Sequence, residues 1–303
     1  TGVQTCALPI FDLVSDEWLE RLVTECAARN LPLYAALTYN GEVRLDPVDE
    51  LDAAVIAAVN RHQGTDKGFG PALGTQAAAQ VFNTTRSPQG NKEWPVVKEG
   101  ITVKVSPHVY AIPSESVPGV PNVGIIVGSK ATMIIDPGMG RLSGEAVARE
   151  MAKVSRNTEV YVVTTHLHPE HTTGELAFPN AKIIRAAAEQ KDIDEAGMQW
   201  VNIFRKRSPE RAEILKDATF RKADEIFEKE KTVDLGGVRV RMMYVGPAHT
   251  LGDTAFYVEE DKVLFPGDLA MKEIFPAFAM PQSSMRTWLV SLEMLEGLKP
   301  AHV

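Results

Sequence analysis

From residue 101 onward the chain is a succession of short apolar runs. Residues 101–105 and 109–112 alternate apolar and polar positions around Pro107. Residues 122–127 and 131–136 are β-rich runs joined by Gly128-Ser129-Lys130, which predicts a hairpin. Residues 144–154 space their apolar side chains at helical intervals, and 159–165 and 182–185 read as further strands. Residues 186–231 are charge-rich and predict a long helical insert. Met198, Trp200, Val201 and Phe204 form an apolar patch within it, which either packs the helix onto the body or lines a substrate pocket. Residues 232–245 return to strands about Gly236-Gly237, and 255–266 predict a hairpin turning at Glu260-Asp261. Residues 283–298 predict a closing helix with Trp288, Leu289, Leu292 and Leu295 on its inner face. Hairpins followed by strand–helix–strand alternation predict an α/β layer architecture.

The part before residue 101 has a different texture. Residues 1–10, TGVQTCALPI, fit no element and are similar to the translation of a short-read sequencing adapter, so they are set apart from the fold. Residues 11–80 read as a small α/β fragment. Ser15 is a predicted N-cap for a helix carrying Trp18, Leu19, Leu22, Val23 and Cys26. Two strands over 31–45 turn at Asn40-Gly41, and 49–62 predict a second amphipathic helix. The runs LPLYAALTYNGEV and NRHQGTDKGFGPALG resemble the middle of a class I S-adenosylmethionine-dependent methyltransferase. No Gly-rich strand–turn–helix accompanies them, so no cofactor site and no methyl transfer are expected. The unit is a docking domain or a fragment fused to an unrelated neighbour. Residues 81–100 are polar, with two prolines, and predict a linker.

A length of 303 residues allows about two domains. The net charge of -8 argues against a nucleic-acid partner. No apolar run approaches the roughly 18 residues that span a bilayer, so no membrane partner is expected. No export signal is visible, which predicts a cytoplasmic protein, or a periplasmic one if a leader was lost at the fusion point. Two cysteines, Cys6 and Cys26, make no disulfide framework.

The chemistry concentrates in VVTTHLHPEHTTG, residues 162–174. Three of the seven histidines, His166, His168 and His171, fall here with Glu170 between the last two. The preceding β-branched run is a strand, and Pro169 and Gly174 place the imidazoles on a turn at its end. Three imidazoles and a carboxylate so close together form a strong metal-ligand cluster. The spacing His-x-His-x-acid-His resembles the signature of the metallo-β-lactamase fold superfamily, whose usual acid is Asp where this chain has Glu170. His249 on a Gly/Pro loop, the hairpin after it and then Gly267-Asp268 match the superfamily's later motifs in order.

The resemblance implies an αββα sandwich over residues 101–303, lacking the family's last strand and Pro-Gly-His loop. His302 stands before that strand and is not its ligand. His62 and His108 are read as structural. By resemblance His166, His168 and His249 would hold one Zn2+, with Glu170 and His171 on a second ion and Asp268 bridging. Glu170 and Asp268 are the candidate catalytic carboxylates. Asp136 would orient a ligand imidazole, with Thr250 doing similar work beside His249, or both are ordinary turn residues. The implied activity is a zinc-dependent hydrolase whose hydroxide attacks an amide, ester or thioester carbonyl of a small molecule. The Asp268 bridge looks more like glyoxalase II-type enzymes than like lactamases. A persulfide dioxygenase-like iron enzyme and an inactive fusion fragment are the alternatives. The first metal is expected to bind more tightly than the second. Specificity is expected from the insert and from Phe275, Phe278 and Met280.

Overall fold

The computed structural model describes residues 15–29, 57, 94–271 and 283–303. It divides into two compact units, Thr1–Lys92 and Glu93–Val303. In the first, helix α1 (Asp16–Ala28) begins where the sequence predicts, with the Trp18 amide donating to Ser15 Oγ at 3.3 Å. The predicted strands over 31–45 lie outside the described residues, as does the helix over 49–62 apart from the helical Ala57.

The second unit holds two sheets. Strands β1 (Val103–Lys104), β2 (Val109–Ile112), β3 (Val123–Val127), β4 (Ala131–Ile135), β5 (Glu159–Val163), β6 (Lys182–Ala186) and β7 (Glu225–Phe227) lie side by side in that order. The first four pair antiparallel, and β4 to β7 pair parallel. Helix α2 (Gly140–Val154) makes the crossover that a parallel β4–β5 pair requires. The second sheet is antiparallel, with β8 (Glu230–Asp234), β9 (Arg239–Tyr244), β10 (Thr254–Val258) and β11 (Val263–Phe265) in the order β11-β10-β9-β8.

Alternation along the strands sorts the core. Ile125, Ile134, Val162 and Ile183 face Ala146 and Val147 of α2. Their neighbours Ile126, Met133, Ile135, Val163 and Ile184 face Val240, Met242, Phe256 and Val258 of the second sheet. The far face of that sheet, through Met243, Val245, Ala255 and Leu264, packs on Trp288 and Leu295 of helix α7 (Met285–Glu296). The result is the expected αββα sandwich. No helix among the described residues is long and apolar enough to cross a membrane.

Three predicted elements differ. Helix α2 starts at Gly140 rather than 144, because its first turn exposes Arg141 and Leu142 and so carries no apolar period. The insert is not one long helix. It is broken into α4 (Ala187–Asp192), a π-helical turn (Ile193–Gly197), α5 (Met198–Arg205) and α6 (Pro209–Ile214). Ser208-Pro209 forces a new start, with Ser208 capping the Arg211 amide at 3.3 Å. Residues predicted as its tail are strand in β7 and β8, because β6 and β9 offer them backbone partners. In α7, Leu289 is 51% exposed and not on the inner face. Trp288, Ser291 and Leu295 share one stripe, and the next position along a helix turns about 100° away.

Ile134 is fully buried between α2 and its sheet neighbours. Ile134→Ala is expected to lower the unfolding free energy by about 2–5 kcal/mol in urea denaturation. Val290→Ala, at a position 61% exposed, is expected to change it by less than about 0.5 kcal/mol.

Candidate metal centre

Strand β5 ends at Val163, and the chain then crosses the carboxyl ends of the parallel strands. His168 is the N-cap of a four-residue helix, α3 (Pro169–Thr172), with Pro169 at its first position. Proline suits that position because the missing N–H is unneeded and its φ is already helical. A 3-10 turn, Thr173–Ala177, follows. Gly174 presses this turn onto the loop after β4. Its amide donates to Gly138 O at 2.8 Å, and a Cβ on it would lie 2.2 Å from Pro137 O.

That contact brings Asp136 under the histidines. Asp136 is buried, with φ of 54°, and its two oxygens are fully engaged. Oδ1 accepts the Thr165 amide at 2.7 Å. Oδ2 accepts the Thr165 hydroxyl at 2.8 Å and faces His171 Nδ1 at 2.9 Å. The Thr165 hydroxyl oxygen lies 3.0 Å from His166 Nδ1. Asp136 therefore orients His171 directly and His166 through Thr165, which leaves the Nε2 of both rings to face the centre. Thr165 was not singled out by the sequence reading; a hydroxyl beside a candidate ligand histidine is its only signal.

The ring nitrogens converge. His166 Nε2 lies 2.9 Å from His168 Nδ1, and His249 Nε2 lies 3.1 Å from the same atom. Two nitrogens bound tetrahedrally to one zinc at about 2.0–2.1 Å would stand about 3.3 Å apart. Asp268 reaches the same place from the turn Gly267–Leu269 after β11. Its Oδ2 is 3.6 Å from His249 Nε2 and 3.9 Å from His166 Nε2, while its Oδ1 is 3.5 Å from His171 Nε2. Gly267 permits this approach: its φ is +59°, and a Cβ there would meet Thr165 Cβ at 2.6 Å. Two sets of groups could hold an ion, His166/His168/His249 and His166/His171/Asp268.

Glu170 is in neither of these two sets. It precedes His171 on α3, and adjacent helical positions diverge by about 100°. Its Oε2 is buried without a hydrogen-bond partner, and burial, opposed by His171, pushes its carboxyl above the usual range. The histidines divide electrostatically. Burial first, then the neighbouring rings, holds His166 and His168 well below the ordinary imidazole value, so both offer lone pairs. Burial also opposes charge on His171, but Asp136 and Asp268 outweigh it and hold the ring up at about 10. Carboxylates that favour a proton at His171 favour a metal cation there in its place.

His249 is held by a residue the sequence reading did not single out. Buried Asp253 accepts the amides of Ala248 at 3.0 Å and Thr250 at 2.9 Å, the two neighbours of His249. The Thr250 hydroxyl also donates to Asp253, at 2.7 Å, so Thr250 fixes the loop through Asp253. An acid four residues past the histidine in a Gly-containing turn was the available signal. Trp200 packs edge-on against His168 with ring centroids 4.3 Å apart, while Val201 and Phe204 behind it are buried with Met139 and Leu215. The insert's patch thus both packs the body and borders the site; Met198 is exposed. Phe275, Phe278 and Met280 lie outside the described residues. His108 binds Asp261 at 2.7 Å and His302 pairs its backbone with Val263, so neither joins the centre.

A second buried cluster lies behind the histidines. Arg185 bonds to Glu175 and sits 3.7 Å from Glu189, which also accepts from the Thr164 hydroxyl. Burial pushes Glu189 to about 8 against the attraction of Arg185.

The family model described as the Metallo-beta-lactamase superfamily matches residues 116–303. Similar solved structures include a metallo-beta-lactamase from Pontibacter korlensis, at 16% identity and TM-score 0.51, covering 65% of this chain and 84% of that one. A metallo-beta-lactamase family protein from Thermus thermophilus is 19% identical at TM-score 0.49, covering 66% and 73%. A metallo-beta-lactamase superfamily protein from Sulfolobus tokodaii is 24% identical at TM-score 0.45, covering 60% and 72%. No curated protein matches the chain.

The folded chain holds a proton on Glu189 that the unfolded chain releases, so stability is lost as pH rises from about 4.5 to about 8. Glu189→Gln is expected to flatten that part of the profile and to gain on the parent as pH rises. Thermal melts across this window check it; parallel profiles would refute the assignment.

Proposed function

Because the chain belongs to the metallo-beta-lactamase superfamily, we propose that it is a zinc-dependent hydrolase cleaving an amide, ester or thioester bond of a small molecule. The observation that carries this reading is the meeting of His166 Nε2, His168 Nδ1 and His249 Nε2 within 2.9 and 3.1 Å. A proton on His168 Nδ1 would bridge to one neighbour, whereas a single cation among the three nitrogens would engage all of them. Three imidazoles also leave a further coordination position open, the donor set of a catalytic zinc site.

In this reading His166, His168 and His249 hold the first ion. Asp268 belongs to the second set, with its Oδ2 also 3.6 Å from His249 Nε2 of the first, and His171 with Asp268 would hold the second ion. A bound zinc ion lowers the pKa of its water to about 7 and so supplies hydroxide at neutral pH. Asp136 keeps the proton of His171 at Nδ1, away from the centre, and Thr165 does the same for His166. Asp253 fixes the His249 loop at both of its neighbours. Trp200 walls the site at His168 and excludes water from that side. Glu170 contributes its charge at a distance, so the second set has fewer donors and the weaker affinity.

Titration of metal-free protein with zinc is expected to give one tight and one weaker site. His168→Ala is expected to abolish the tight site and all hydrolysis of a model thioester or lactam. Asp136→Asn is expected to weaken zinc about 10–100-fold, because the amide presents a second donor to His171 Nδ1–H. Two equally tight sites would refute the ranking. Iron in the protein as purified, with oxygen-dependent activity, would refute the hydrolase.

A further inference from the structure

An apolar cleft adjoins the candidate centre at Asp268. Its volume is about 220 Å³, and Asp268, Leu269, Met271, Met285, Leu289 and Leu292 line it. Trp288 also lines it, but its Nε1–H is already donated to Leu269 O at 3.0 Å. Among the described residues, Asp268 is the one charged side chain in the lining. Helix α7 has already buried Trp288 and Leu295 against the second sheet. Yet Met285 and Leu289 are 53% and 51% exposed on another face. Polar side chains are the usual occupants of an outward helix face. An apolar wall beginning at a residue of the candidate metal set calls for an apolar ligand group joined to the reacting centre.

We infer, resting on the hydrolase reading, that the substrate places an apolar group in this cleft, next to the bond that is cut. An apolar cavity of about 150 Å³ holds a benzene ring, and drug-sized ligands take about 300–1,000 Å³. The cleft thus suits a phenyl ring or a short alkyl chain. A charged or heavily hydroxylated group would lose its water there without finding partners. Leu289 and Met285 are the specificity residues, since both are half exposed and neither holds the fold.

Straight-chain carboxylates from acetate to hexanoate, titrated calorimetrically into the protein as purified and after zinc loading, test this. Affinity is expected to rise about fourfold per methylene. In Leu289→Asn, which adds polarity without charge, the rise is expected to fall while zinc content and melting temperature stay those of the parent. A flat series in the parent overturns the subsite. So does a Leu289→Asn variant that keeps the rise but converts a dimer to a monomer, which would make this face a contact between copies of the chain. Absence of hydrolysis with the rise intact overturns the reaction and keeps the subsite.

Discussion

The two oxygens of Asp136 are the point on which the site hangs. They accept from the Thr165 amide and hydroxyl and face His171 Nδ1. A buried carboxylate is costly unless its lone pairs are filled. Here the groups that fill them are the ones that aim the imidazoles. Orientation of the histidines and satisfaction of a buried charge are thus the same set of contacts. The geometry around Asp136 depends in turn on close backbone contact, with Gly174 against Pro137 and Gly267 against Thr165. Side chains at either glycine would push apart the segments that carry the candidate ligands.

The rest of the sandwich supports this arrangement from a distance. Parallel strands β4, β5 and β6 end together, so the loops that leave them emerge on one edge. The second sheet supplies His249 and Asp268 from the two ends of its β10–β11 hairpin. Thr254 at the start of β10 donates its amide to Thr165 O at 2.8 Å, which ties the two sheets at the site. The insert does more than cover the sheet. Asp192 accepts the Gly252 amide at 3.0 Å, joining α4 to the His249 loop. Trp200 stands over His168. Mobility of the insert would be felt at both histidines.

Buried charge recurs behind the centre, in Arg185 with Glu175 and Glu189. One guanidinium lies between two carboxylates in a low-dielectric interior, where burial first, and then the neighbouring acids, raises the Glu189 pKa against the pull of Arg185. Thr164, which donates to Glu189, directly precedes the Thr165 that Asp136 holds. The strand end is therefore gripped on two sides by carboxylates.

Sequence alone determined the strands, because alternation and β-branched runs survive without knowledge of their neighbours. It also determined the histidine cluster, since candidate ligands within a few residues need no long-range contact to be seen as a set. Order of motifs was enough to bring His249 and Asp268 into the same reading. Tertiary structure decided what depends on direction and partner. Helical rotation kept Glu170 out of both ion sets although its neighbour His171 is in one. Pairing with β6 and β9 made strands of residues whose charge pattern read as helix. Thr165 and Asp253 gained their roles only from contact, because a hydroxyl or a turn acid has no pattern of its own until the chain folds around it.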